Sequence, residues 1–197
     1  MTEKLYWNDS HLFACDAKIL SISEANENFE ILLDRTVFHP QGGGQPSDIG
    51  SLEKNDQKMF EVKSSVKNDR GEILHAGHFT GGRLKVGDKI SAVIDQPTRL
   101  FNARLHSAGH VLDVAVKSVR PDLVPTKGYH FGDGPYVEYK GMLEGSIKDE
   151  IVQKLNEQVR AILGKDERTE AFFDGEGRRV VRVAGLETPC GGTHVKS

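Results

Sequence analysis

Apolar residues from the N-terminus to about residue 95 recur at strand-like spacing. Lys4-Leu5-Tyr6-Trp7, Leu12-Phe13-Ala14, Lys18-Ile19-Leu20-Ser21-Ile22 and Phe29-Glu30-Ile31-Leu32-Leu33 are short and β-rich, parted by clusters of Asn, Asp, Ser and Glu. Met59-Phe60-Glu61-Val62, Ile73-Leu74-His75 and Lys89-Ile90-Ser91-Ala92-Val93-Ile94 continue the series, with Gly81-Gly82 and Gly87-Asp88 as turns. So many short strands predict a small barrel or sandwich. Beyond residue 95 the period lengthens. A helix is expected over Pro97–Val119, with Asp95 or Gln96 as its cap and Arg120-Pro121 as its end. A second is expected over Ser146–Leu163. Ser146 and Asp149 there form a capping box, Gly164 is the stop, and Ile147, Ile151, Leu155, Val159 and Ile162 form the apolar stripe. Strand-like pieces flank it at Pro135–Tyr139, Glu170–Phe173 and Arg179–Val183. The expected class is α+β: a small barrel-like domain over residues 1–94, then an α/β domain over 95–197 with an antiparallel sheet and two main helices.

Composition narrows the function classes. With 197 residues, 37% hydrophobic and 28% charged, the chain can bury a core and is neither disordered nor fibrous. No stretch approaches the roughly 20 apolar residues of a membrane span, and the N-terminal residues show no secretory pattern. Two cysteines build no disulfide framework, so a reducing cytoplasm is the expected location. A net charge of -3 excludes a generally basic nucleic-acid coat and leaves room for local patches. Arg99, Arg104, Lys117 and Arg120 make one candidate stripe, and Arg178, Arg179 and Arg182 another.

Three constellations can do chemistry. His106 and His110 lie four apart on the first predicted helix, so both imidazoles reach one point. Alone, such a pair is more often a surface or core feature. Cys190-Gly191-Gly192-Thr193-His194 sets a thiol and an imidazole four apart on a glycine turn, whose bland alternative is a structural cysteine in a terminal loop. Together the two pairs offer one sulfur and three nitrogens, a set that suits Zn²⁺. About 80 residues separate them, far more than the loop of a zinc finger, so the metal is expected for chemistry rather than folding. Four protein ligands fill a tetrahedron, so either a fifth ligand is admitted or one of the four binds weakly, and His194, three residues from the end of the sequence, is then the expected one. No Glu or Asp general base accompanies the ligands as in H-E-x-x-H enzymes. The third constellation is Gly42-Gly43-Gly44-Gln45-Pro46. Three glycines bracketed by Pro40 and Pro46 read as a rigid wall of bare amides, or else as a hairpin turn.

In this order, Gly42-Gly43-Gly44-Gln45-Pro46, His106/His110 and Cys190-Gly191-Gly192-Thr193-His194 resemble alanyl-tRNA editing domains. These occur inside alanyl-tRNA synthetases and as free-standing AlaX proteins, whose medium type keeps the glycine-rich motif. The resemblance spans nearly the whole chain. It implies zinc held by His106, His110, Cys190 and His194, and hydrolysis of tRNA(Ala) mischarged with serine or glycine. It also implies that Thr36 recognises the serine hydroxyl and that Gln45, with Gly42, Gly43 and Gly44, belongs to the substrate site. The alternatives are a non-catalytic, zinc-stabilised tRNA-binding module and a metallohydrolase of small esters.

Overall fold

The computed structural model describes residues 2–25, 28–142 and 148–197. The chain divides into two compact units, Met1–Gly42 with Pro46–Phe101, and Gly43–Gln45 with Asn102–Ser197.

The first unit contains β1 (Glu3–Lys4), β2 (Ala14–Ala25), β3 (Asn28–Leu33), β4 (Arg35–Thr36), β5 (Gly50–Lys54), β6 (Gln57–Lys67), β7 (Ile73–Phe79) and β8 (Lys89–Ile94). Six of these close a barrel in the order β2-β3-β7-β6-β5-β8, with β8 pairing back onto β2. All six pairings are antiparallel, and closure leaves no edge strand exposed. Alternation along each strand fills the interior with Ile19, Ile31, Leu33, Leu52, Phe60, Val62, Ile90 and Ala92. Leu5-Tyr6-Trp7, expected as a strand, forms a 3₁₀ turn. The amides of Asn8 and Asp9 both donate to the Leu5 carbonyl and wind the chain there.

A buried ion pair ties distant residues of this unit together. Arg99 is fully buried, and its Nε donates to both carboxylate oxygens of Asp48 at 2.9 and 3.1 Å. The same guanidinium donates to the carbonyls of Ser10 and Val37. Asp48 accepts the His39 amide at 2.6 Å and returns its own amide to the His39 carbonyl at 3.0 Å. Ser10, Val37, His39 and Asp48 are thus tied to one another, and every formal charge has several partners.

The division between units falls inside helix α1 (Gln96–Val119). Asp95 caps this helix by accepting the Thr98 amide at 2.8 Å, and the Thr98 hydroxyl together with that amide holds its carboxyl below the usual range. The second unit adds β9 (Val124–Tyr129), β10 (Tyr136–Lys140), α2 (Lys148–Leu163), β11 (Glu170–Phe173), β12 (Arg179–Val183) and β13 (Leu186–Pro189). Ser146 and Ile147, expected in the first turn of α2, lie outside the described residues. The β-structure here forms two antiparallel sheets, the β9-β10 hairpin and the β11-β12-β13 meander. Ala184 and Gly185 both take positive φ, 46° and 79°, as a two-residue hairpin between twisted strands requires. No helix of the described residues is long and apolar enough to cross a membrane.

Candidate metal centre

His106 and His110 lie one turn apart on α1 with their rings nearly parallel, 5.2 Å between centroids. Facing them is the turn after β13 that carries Cys190 and His194. Arg179 of β12 shapes this turn, one guanidinium nitrogen donating to the carbonyls of Cys190 at 2.7 Å and Gly192 at 3.0 Å. A side chain at Gly192 would fall on the His106 ring, so only glycine lets the turn come this close.

The result is a group of four donors, one each from His106, His110, Cys190 and His194, all within 4.8 Å of one another. Cys190 Sγ lies 3.5 Å from His106 Nε2 and 3.3 Å from His194 Nε2. His110 Nε2 is buried with no hydrogen-bond partner among the described residues. A buried polar atom without a partner is costly, and a converging set of three imidazoles and a thiol would relieve that cost if it held a cation. Borderline-soft nitrogen and sulfur donors of this kind fit zinc. Burial pushes the Cys190 thiol up from its ordinary value, opposed by the Gly192 amide and the Arg179 charge, and burial pushes His110 down. His194, expected to be held loosely, is buried and engaged at both ring nitrogens. Its Nδ1 meets Ser107 Oγ at 3.2 Å, and that hydroxyl also accepts the Val195 amide.

Gly43 and Gly44, at φ 58° and 76°, bring Gln45 into this unit. A side chain at Gly44 would collide with the backbone of Gly128, and the Gly44 carbonyl accepts the His130 amide at 2.8 Å. The space left bare at Gly44 is therefore filled by the chain itself. Gln45 is fully buried. Its Oε1 accepts the Thr193 amide at 3.0 Å and lies 2.8 Å from His106 Nδ1, and its Nε2 donates to Thr193 Oγ1 at 2.8 Å.

Two neighbours of the cluster had no motif to announce them. His130 stacks on His106 with centroids 4.6 Å apart, and burial pushes its pKa down, with the nearby His110 adding to the effect. Asp113, one turn beyond His110 on α1, accepts the Tyr139 hydroxyl at 2.6 Å, and burial pushes its carboxyl up.

Thr36 and Gly42 belong to the barrel unit. Thr36 is fully buried, its Oγ1 2.8 Å from His75 Nε2 and accepting the Phe38 amide at 3.0 Å.

The two expected basic stripes are largely neutralised. Arg99 is fully buried on Asp48, Arg120 pairs with Asp122, Arg178 with Asp174 and Glu176, and Arg182 with Glu170 and Glu187. Arg179 is buried against the Cys190 turn, while Arg104 and Lys117 remain exposed. Spacing alone could not show the pairing of Arg99 with Asp48 or of Arg182 with Glu170 and Glu187, because those acids lie on other segments.

Comparison with known proteins fits this arrangement. Over its full length the chain is 34% identical to alanyl-tRNA editing protein AlaX-M of Pyrococcus horikoshii and covers 86% of that protein. The chain belongs to the alanyl-tRNA editing protein family. Identity to AlaX-L of the same organism is also 34%, and here the chain spans about half of the relative, 52%. It is 31% identical to 22% of the alanine–tRNA ligase of Clostridioides difficile, over 91% of its own length. The family model for class II (A) tRNA synthetases matches residues 6–98. For an alanyl-tRNA editing protein, the resemblance seen in the sequence motifs extends to overall identity.

Proposed function

We propose that this chain is a zinc-dependent deacylase that hydrolyses Ser-tRNA(Ala), and Gly-tRNA(Ala) with it, acting on tRNA charged elsewhere. The observation that supports this reading is the convergence of His106, His110, Cys190 and His194 in a chain of the alanyl-tRNA editing family. The chemical need is general. A pocket shaped for alanine rejects serine by only about 10²-fold, so a second, hydrolytic site must remove what slips through.

When bound, zinc supplies Lewis acidity to an ester carbonyl or to water. The residues around it have their own tasks. Arg179 holds the carbonyls of the Cys190 turn so that the thiol and His194 face the α1 imidazoles. Ser107 steadies His194, and the stacked His130 covers one face of His106. Thr36 is assigned to serine recognition. His75 Nδ1 meets the Ile31 carbonyl at 2.9 Å, which can only accept, so the proton is on Nδ1. With the ring neutral, the Thr36 hydroxyl proton goes to His75 Nε2, and the oxygen can act on a ligand only as an acceptor. A serine hydroxyl can donate to it, whereas the alanine methyl cannot.

The test is single-turnover deacylation of Ser-tRNA(Ala) beside Ala-tRNA(Ala), with zinc content measured on the same samples. The wild type should release serine in preference to alanine, and Cys190→Ala should bind tRNA without release. No release by zinc-loaded wild type would overturn the assignment in favour of a non-catalytic tRNA-binding module. Release from small serine esters with no preference for tRNA would point to a general esterase.

A further inference from the structure

The amide of Gln45 sits where its hydrogen bonds can be read without ambiguity. A backbone N–H only donates, so the Gln45 atom that meets the Thr193 amide at 3.0 Å is the carbonyl oxygen. That assignment sends Nε2 to Thr193 Oγ1 at 2.8 Å, a donor facing an acceptor. It leaves one lone pair of Oε1 for the remaining neighbour, His106 Nδ1 at 2.8 Å. An amide oxygen brings no proton, so Nδ1 must supply it. A neutral imidazole protonated at Nδ1 keeps its lone pair at Nε2, and His106 Nε2 is the nitrogen turned towards Cys190 Sγ.

We infer that Gln45 is a positioning residue of the metal centre: through the Thr193 amide it fixes the tautomer and the orientation of His106, and it does not contact the aminoacyl group. The inference rests on the reading of His106 as a metal ligand and deepens it. It also gives the glycine pair a purpose. Left-handed Gly43 and Gly44 lead the chain to a neutral amide at this site, and full burial of Gln45 leaves its oxygen no solvent to bond instead. By contrast, His194 Nδ1 faces the Ser107 hydroxyl, which can donate or accept, so its tautomer is dictated less strictly. Outer-shell partners of this kind change metal affinity by about 10- to 100-fold when removed.

The experiment compares wild type, Gln45→Leu and Gln45→Glu by competition for zinc against a chromophoric chelator, and by absorption of the cobalt-substituted proteins. Gln45→Leu keeps the volume and loses the acceptor, so it should weaken zinc by about 10- to 100-fold and shift the cobalt bands. Gln45→Glu keeps an oxygen for both N–H groups and should hold zinc within a few-fold of wild type. Ring ¹⁵N shifts of His106 in the zinc-loaded wild type should show Nδ1 protonated and Nε2 bound to metal, a readout that needs no variant to fold. Wild-type zinc affinity in Gln45→Leu with a raised KM for Ser-tRNA(Ala) would make Gln45 a substrate contact and overturn the inference. So would a His106 ring protonated at Nε2. Failure of the deacylase reading would appear differently, as zinc-loaded wild type without turnover, leaving the affinity differences in place.

Discussion

His75 in the barrel and His106 on α1 are both buried imidazoles whose Nδ1 faces an oxygen that can only accept, the Ile31 carbonyl in one and the Gln45 amide in the other. Both therefore present Nε2 as a lone pair. What meets that lone pair separates them. His75 Nε2 receives the Thr36 hydroxyl and its ring sits edge-on to Phe38, 5.1 Å between centroids, so each polar atom is satisfied inside an apolar shell. His106 Nε2 faces a thiol and belongs to a group of four donor atoms within 4.8 Å of one another, a group that could hold a metal ion. The same tautomer thus serves an ordered core in one unit and a ligand set in the other. The deciding feature is the chemistry at the far nitrogen, which burial alone does not reveal.

The strongest way to break this comparison is to remove a donor. Cys190→Ala should lose stoichiometric zinc and reduce serine release to background. It should leave the unfolding of the barrel unit as in wild type, read by circular dichroism. Zinc retained at full stoichiometry would mean that the sulfur is not a ligand.

Acid titration sharpens the contrast next. Burial holds His75 down to about 4 against an ordinary value of 6.5. The unfolded chain therefore takes up a proton between these values while the folded one does not. The stability due to a neutral His75 is complete above about pH 6.5 and is lost as pH falls towards 4, on the order of 3 kcal/mol over the window. In urea unfolding with zinc chelated, His75→Phe should be less stable at pH 7 and show a shallower decline over that range. An identical slope would mean that His75 titrates normally. If the four donors hold zinc, protons would compete with it for them, and the stability lost with acid in that way should disappear when a chelator is present.

The smallest effect is expected at Thr36. Thr36→Val leaves His75 Nε2 without its donor and should cost about 1–3 kcal/mol of stability. Its influence on catalysis should be a narrowed preference for serine over alanine, greater than any fall in total rate. Unchanged preference would remove Thr36 from recognition.

These differences in scale match what could be read from the chain itself. The barrel was visible where apolar alternation is clean, as in Lys89–Ile94, whose bounds the strand keeps. Gly50–Lys54 is a strand whose sequence looks like a turn. A side chain at Gly50 would meet the Val93 carbonyl, so the glycine marks a close strand pairing. Val124–Tyr129 contains Pro125 and Gly128, both poor strand formers, and only the pairing with β10 makes it a strand. At the centre, ligand spacing was legible because four-residue steps on a helix and on a tight turn are local geometry. His130 and the bonds of Gln45 were not. Gln45 and Thr193 are 148 residues apart, and a lone histidine in a hairpin looks like any other until its ring is found against His106. The neutralised arginines teach the same lesson from the surface, since Arg182 is quenched by Glu170 and Glu187 on the neighbouring strands β11 and β13.

The Arg179 guanidinium bridges two carbonyls on either side of Gly191, so the loop that bears the sulfur is moulded by the polypeptide's own cation. Loading should then resemble docking onto a finished scaffold, limited by shedding of water from the incoming ion and without the coil-to-fold transition that accompanies uptake in small zinc modules. Backbone amide signals from Cys190 to His194 should accordingly move little on titration with zinc, while the imidazole resonances change abruptly.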